Sequence, residues 1–175
     1  MNSPRPQLVR VVALTTALAY APLLSGAYAS ASVHQTPNCK SIQLTLNRGQ
    51  RHVVAGATYT ALVITNVGTT CAIWGVPAIQ PVNAARRPIG PFARNLSMGE
   101  MPLRHVLARG GSVSVSFGVT KTTSVPSSTC HAARAAGVVV TLGPFFTRRF
   151  LAMPLSVCTA SASTTTRLLA PGTKG

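Results

Sequence analysis

Gly110-Gly111-Ser112-Val113-Ser114-Val115-Ser116-Phe117-Gly118-Val119-Thr120 decides the fold class. Val113, Val115, Phe117 and Val119 alternate with Ser112, Ser114, Ser116 and Gly118, a period of two that separates apolar from small polar side chains. That is a half-buried β-strand entered from a Gly-Gly turn. Working outward, Ala57 to Thr65 is rich in Thr, Tyr, Val and Ile and reads as a second strand, ending at Asn66-Val67-Gly68. Ile42, Leu44 and Leu46 alternate with Gln43 and Thr45, and Asn47-Arg48-Gly49 is expected to break that strand. Cys71 to Trp74 forms another. Ala78 to Val82 carries Pro81, which restricts it to a sheet edge because proline cannot donate to the ladder.

Downstream, Cys130 to Ala136 has the composition of one helical turn, Val138 to Leu142 reads as a buried strand, and Phe150 to Val157 closes the sheet. From Asn83 to Pro102 the chain carries Pro88, Gly90, Pro91 and Gly99 with little periodicity, the pattern of a long surface loop. No amphipathic segment reaches helical length. About seven short strands therefore point to an all-β, immunoglobulin-like antiparallel sandwich. The expected organisation is a signal peptide over residues 1–31, a sandwich over residues 32–158, and a solvated, disordered Ser/Thr-rich tail over residues 159–175.

The leader rests on Arg5 and Arg10 before an uncharged run from Val11 to Leu24, followed by small residues that permit cleavage after Ala29 or Ala31. The run is shorter than the roughly 20 residues a spanning helix needs. A secreted, extracytoplasmic chain is expected, soluble or held at the wall. The four cysteines, Cys39, Cys71, Cys130 and Cys158, all follow the leader, and an even count in an exported domain reads as two disulfides. Three pairings are possible. The local pairs, Cys39 with Cys71 and Cys130 with Cys158, are favoured because each closes a loop within one half of the domain. No C-x2-C pair occurs, so a structural zinc site lacks its usual spacing.

Of the 175 residues, 16 are Lys or Arg and one is acidic, giving a formal net charge of +15. The acid is Glu100. Paired-carboxylate hydrolysis, calcium loops and Ser-His-Asp triads therefore lack essential parts. At 46% hydrophobic residues the chain still has enough apolar side chain to fill a core.

Asn66-Val67-Gly68-Thr69-Thr70-Cys71-Ala72-Ile73-Trp74-Gly75-Val76-Pro77 resembles the pattern of domain of unknown function 4232, found in secreted actinobacterial proteins. The resemblance extends to Cys39, to Leu107-Ala108-Arg109-Gly110-Gly111-Ser112, and to Cys130 and Cys158, roughly residues 38–159. It implies an exported β-sandwich with two disulfides and supplies no catalytic residue. This chain departs from the pattern in its near-absence of acids. Read from their own chemistry, Asn66 and Gly68 suit left-handed backbone in a turn, Gly75 and Pro77 end the next strand, and Trp74 covers a disulfide.

The candidate site residues are basic. Arg86, Arg87, Arg94, Arg104, Arg109, Arg148 and Arg149 fall mainly in inferred loops and suit an anionic wall polymer or lipid head groups. Nucleic acid is not the expected partner, because the aromatic interleaving it favours is missing. The alternative is an extracytoplasmic copper protein. Cleavage after Ala31 would make His34 the third residue of a square-planar amine, amide and imidazole site, and Met98, Met101 and His105 offer soft ligands. No resident cofactor is expected. An enzyme is not expected either, since no motif marks a serine beside His52, His105 or His131.

Overall fold

The alternation around Phe117 becomes strand β7 (Ser112–Thr120), which lies beside β2 (Ala57–Asn66) in continuous antiparallel register from Ala57↔Thr120 to Thr65↔Ser112. The computed structural model describes residues 35–175; the leader and His34 lie outside them. β2 continues from β1 (Leu44–Val54) through the two-residue turn Ala55-Gly56. Both turn residues have positive φ, 43° and 79°, the pairing that matches the right-handed twist of a hairpin.

The remaining strands are β3 (Cys71–Ile73), β4 (Ala78–Val82), β5 (Arg94–Asn95), β6 (His105–Leu107), β8 (Ala132–Leu142), β9 (Phe146–Cys158), β10 (Thr164–Thr166) and β11 (Ala170–Pro171). One sheet has the order β1-β2-β7-β10-β5, with β11 also paired to β7. A second has the order β4-β8-β9, and β3 pairs with β6 as a short ladder. Leu62, Ile64, Val115 and Phe117 from the first sheet share one core with Ile79, Val138, Val140 and Phe146 from the second. This is the expected β-sandwich, with more strands than anticipated among the described residues.

Pro81 sits where its missing N–H allows, on β4 at the outside of the second sheet. The loop that follows covers this edge, with the Ile89 and Ala93 amides donating to the Pro81 and Ile79 carbonyls at 3.0 and 2.8 Å. The Asn83–Pro102 segment is thus not simply a surface loop. Ala93 and Ser97 are buried, and β5 runs parallel to β10.

Four expectations are corrected. Cys130 to Ala136 is not a helical turn: the turn ends at Cys130, and β8 already begins at Ala132. Ile42 does not begin a strand: it is exposed within a 3₁₀ turn at Ser41–Gln43, and β1 starts at Leu44. Asn47-Arg48-Gly49 does not end that strand but introduces a bulge, after which pairing resumes to Val54. Residues 159–175 are not a solvated tail. Thr164 and Thr165 pair with Val119 and Gly118, and Ala170 and Pro171 pair with Ser114 and Val113, so this segment occupies the edge of β7 opposite β2. Ser163, Thr164 and Thr166 are buried, and Leu169 joins the core. β-Branched threonines fit a pleated, half-buried surface, and the Thr166 hydroxyl finds an acceptor in the Pro77 carbonyl at 3.3 Å.

Two disulfides brace the halves. Cys39–Cys71 ties the segment before β1 to β3, and Cys130–Cys158 ties the single helical turn Ser127–Cys130 to the end of β9, with Cα separations of 4.8 and 4.4 Å. All four cysteines are buried.

Candidate functional site

The bulge in β1 helps to build a cleft between the two sheets. Arg48 pairs with Leu62, whereas Arg51 pairs with Thr60, so three steps along β1 match two along β2. In a regular strand, residues three apart face opposite sides of a sheet. The one extra residue turns Arg51 back to the side of Arg48, the side on which Leu62 and Thr60 face the core. Gly49 lies within the bulge because nothing larger fits: a Cβ there would stand 2.8 Å from Val63 Cγ2 and 3.0 Å from the Thr173 carbonyl oxygen.

Along the inner face the rows change character together. On β1, Leu44 and Leu46 give way to Arg48 and Arg51; on β2, Ile64 and Leu62 give way to Thr60 and Thr58. The sandwich therefore opens at this end into a cleft of about 640 Å³. Val119 of β7 and Met153 and Leu155 of β9 supply its apolar surface, and Lys121 supplies a third cation. Thr58, Thr120, Thr122 and Thr123 add hydroxyls. Lys121 is held in place by its backbone, which donates to Gly56 and accepts from Ser124 at 3.0 and 2.9 Å.

The sequence-predicted arginines are distributed rather than gathered. Arg149 is an internal tie: its guanidinium donates to the Leu44 and Ser41 carbonyls and lies 5.5 Å from the Phe146 ring centroid. Arg104 is similarly committed, stacked 4.7 Å over Trp74 and bonded to the Thr36 carbonyl and Asn38. Arg86 lies over Phe150, 5.1 Å from its centroid. Arg87, Arg94, Arg109 and Arg148 are exposed on separate elements, in the loop after β4, in β5, in the turn before β7, and in β9. None of the seven lines the cleft.

Met101 and His105 line a second cavity of about 470 Å³ together with His52, Glu100 and Arg167, while Met98 is 82% exposed and is not part of its wall. The His105 Nε2 atom is engaged with the Leu169 carbonyl at 3.1 Å. Among the described residues, no three His, Cys, Asp or Glu side chains stand together as a metal site. His34, the remaining copper candidate, falls outside the described residues.

A family model described as Domain of unknown function (DUF4232) matches residues 39–169. The chain belongs to this family. No curated protein and no solved structure matches it. The DUF4232 match runs past residue 158 to Leu169, the residue that carries the last strands into the core.

The DUF4232 motif at Asn66 is structural in this chain. Asn66 is fully buried; its amide nitrogen donates to the Thr69 and Leu107 carbonyls at 2.8 and 2.9 Å, and its side-chain oxygen accepts from the Gly68 amide at 2.9 Å. It knots the turn before β3 to the end of β6. Neither Asn66 nor Gly68 takes the expected left-handed backbone; Gly68 is small because a Cβ would stand 2.6 Å from Gln43 Nε2. Gly75 does take positive φ, at 114°. Trp74 packs edge-on against Phe145, with ring centroids 4.7 Å apart, beneath Arg104.

Sequence reasoning passed over Arg48, Arg51 and Lys121 because it sought arginine clusters in loops. The available signal was Gly49 between two arginines inside a run that otherwise continues as strand, a common mark of a bulge.

Proposed function

We propose that this chain is exported and serves outside the cytoplasm as a non-enzymatic binding module for anionic cell-envelope material, wall polymer or lipid head group, with the cleft at Arg48, Arg51 and Lys121 as its principal contact. One observation carries the reading: three cations line the open end of the sandwich in a chain whose single acidic side chain, Glu100, lines a different cavity. Among the described residues, the arginines that donate side-chain hydrogen bonds are Arg104 and Arg149, so the cleft cations are left for an outside acceptor. Arginine forks and hydroxyl donors match phosphate and carboxylate oxygens. Support for the compartment comes from the leader pattern and the two buried disulfides, which persist in oxidising surroundings. Every cysteine is bridged, so none offers a thiol nucleophile, and His105 Nε2 is engaged with the Leu169 carbonyl.

The test is co-sedimentation of the disulfide-bonded protein with phosphate-bearing wall material and with anionic vesicles. Binding is expected to fall steeply between about 0.1 M and 1 M salt, as the screening length shrinks from about 10 Å to about 3 Å. R48Q/R51Q/K121Q should bind more weakly than R86Q/R87Q/R148Q, which removes equal charge elsewhere. Binding that is indifferent to salt, or equal loss in the two triple variants, would overturn the reading.

A further inference from the structure

The cleft is more than a patch of charge, because its cations ring a surface that continues the hydrophobic core. Val119 continues the row of β7 that holds Val115 and Phe117, and Met153 and Leu155 pack against the same core from β9. The positive groups share the cleft with an apolar floor of limited extent, which suits a ligand that is part anion and part hydrocarbon. The volume, about 640 Å³, falls in the range of small-molecule sites.

Resting on the anion-binding reading above, we propose that the cleft binds a single-chain amphiphile with a phosphate head, one molecule per protein. The head group lies among Arg48, Arg51 and Lys121, and the hydrocarbon lies along Val119, Met153 and Leu155 between the two sheets. A phosphate monoester carries a charge near −2 at neutral pH and offers three acceptor oxygens. Those oxygens match three cations and the neighbouring threonine hydroxyls better than a single carboxylate does. The chain completes the other half of the fit, since Val119 and Leu155 remain partly exposed at this end.

Isothermal titration of the disulfide-bonded protein with monomeric alkyl phosphates of increasing chain length, each below its micelle concentration, tests this directly. Stoichiometry near one is expected, with affinity rising by up to about fourfold per methylene until the floor is covered. R51Q and K121Q should each weaken every member of the series by about tenfold or more. L155S should flatten the chain-length dependence while leaving ethyl phosphate unaffected. The chain-length series on the parent protein decides the matter if that variant fails to fold. Affinity independent of chain length would overturn the amphiphile proposal and leave a plain anion site. Absence of alkyl phosphate binding, with salt-dependent wall binding intact, would overturn it while the broader reading stands. Loss of both would remove the two together.

Discussion

Arg149 separates a structural arginine from a ligand-binding one. Its guanidinium donates to two carbonyls at the start of the first sheet, Leu44 and Ser41, reaches the Ser41 hydroxyl at 3.2 Å, and lies over Phe146. In Arg149→Ala the two carbonyls lose a charged donor. Hydrogen bonds to charged groups contribute about 1.5–3 kcal/mol each when sheltered, and the side chain here is half-buried, so the lower figure applies. The aromatic contact adds about 0.5–1 kcal/mol, and the rotamer freedom regained by deletion returns about 1 kcal/mol. The net expectation is a loss of about 3 kcal/mol, or about 10 °C in Tm for a domain of this size. Differential scanning calorimetry on the oxidised protein measures it. Arg149→Lys should fall between, because an ammonium group cannot reproduce the planar fork. Wall binding should change little in either variant. A Tm for Arg149→Ala within about 2 °C of the parent, together with a large drop in wall affinity, would refute the assignment and return Arg149 to the ligand surface.

Other perturbations test the frame and the cleft. Gly49→Ala places a methyl group 2.8 Å from Val63 Cγ2 and should cost about 1–3 kcal/mol by overpacking, read as a lower denaturant midpoint; an unchanged midpoint would mean that the bulge yields freely. Replacing either bridged pair with serines should remove about 3–4 kcal/mol, from loops with sequence separations of 32 and 28, and similar Tm values for the two variants are expected from their similar spans. Deleting residues 160–175 strips β10 and β11 from β7 and should abolish cooperative unfolding; a truncated protein with a sharp transition near the parent Tm would contradict the pairing.

What the sequence discloses follows from how local each signal is. β7 was legible because Val113, Val115 and Phe117 alternate cleanly with serine, and all three are completely buried. β4 was legible because Pro81 fixes it to an edge. The extent of β1 was not, since Asn47-Arg48-Gly49 has turn composition and only its pairing with β2 shows that the strand continues. The segment from Thr159 was misjudged for a related reason. Serine and threonine are equally at home in solvent and in a sheet, and the partner that decides between them, β7, lies more than 40 residues away. Arg48, Arg51 and Lys121 share a cleft only because a bulge re-aims one side chain and the β2–β7 ladder brings the third alongside; neither event leaves a short motif. Conversely, the arginine doublets stand out in the text of the sequence, yet Arg148 and Arg149 divide between solvent and the interior because Arg148, at φ 46°, lies in a bulge of β9 and Arg149 pairs with buried Val140.

The order in which strands enter the first sheet has a consequence for biogenesis. β7 is flanked on one side by β2, made early, and on the other by β10 and β11, which follow every other strand in the chain. A polypeptide delivered from its N-terminus can form the β1-β2-β7 portion while half the amides of β7 remain bare, and that ladder stays open to other chains until the final threonines arrive. Maturation is thus gated by the arrival of those last residues, and slow delivery of them lengthens the interval in which the protein is vulnerable to mispairing.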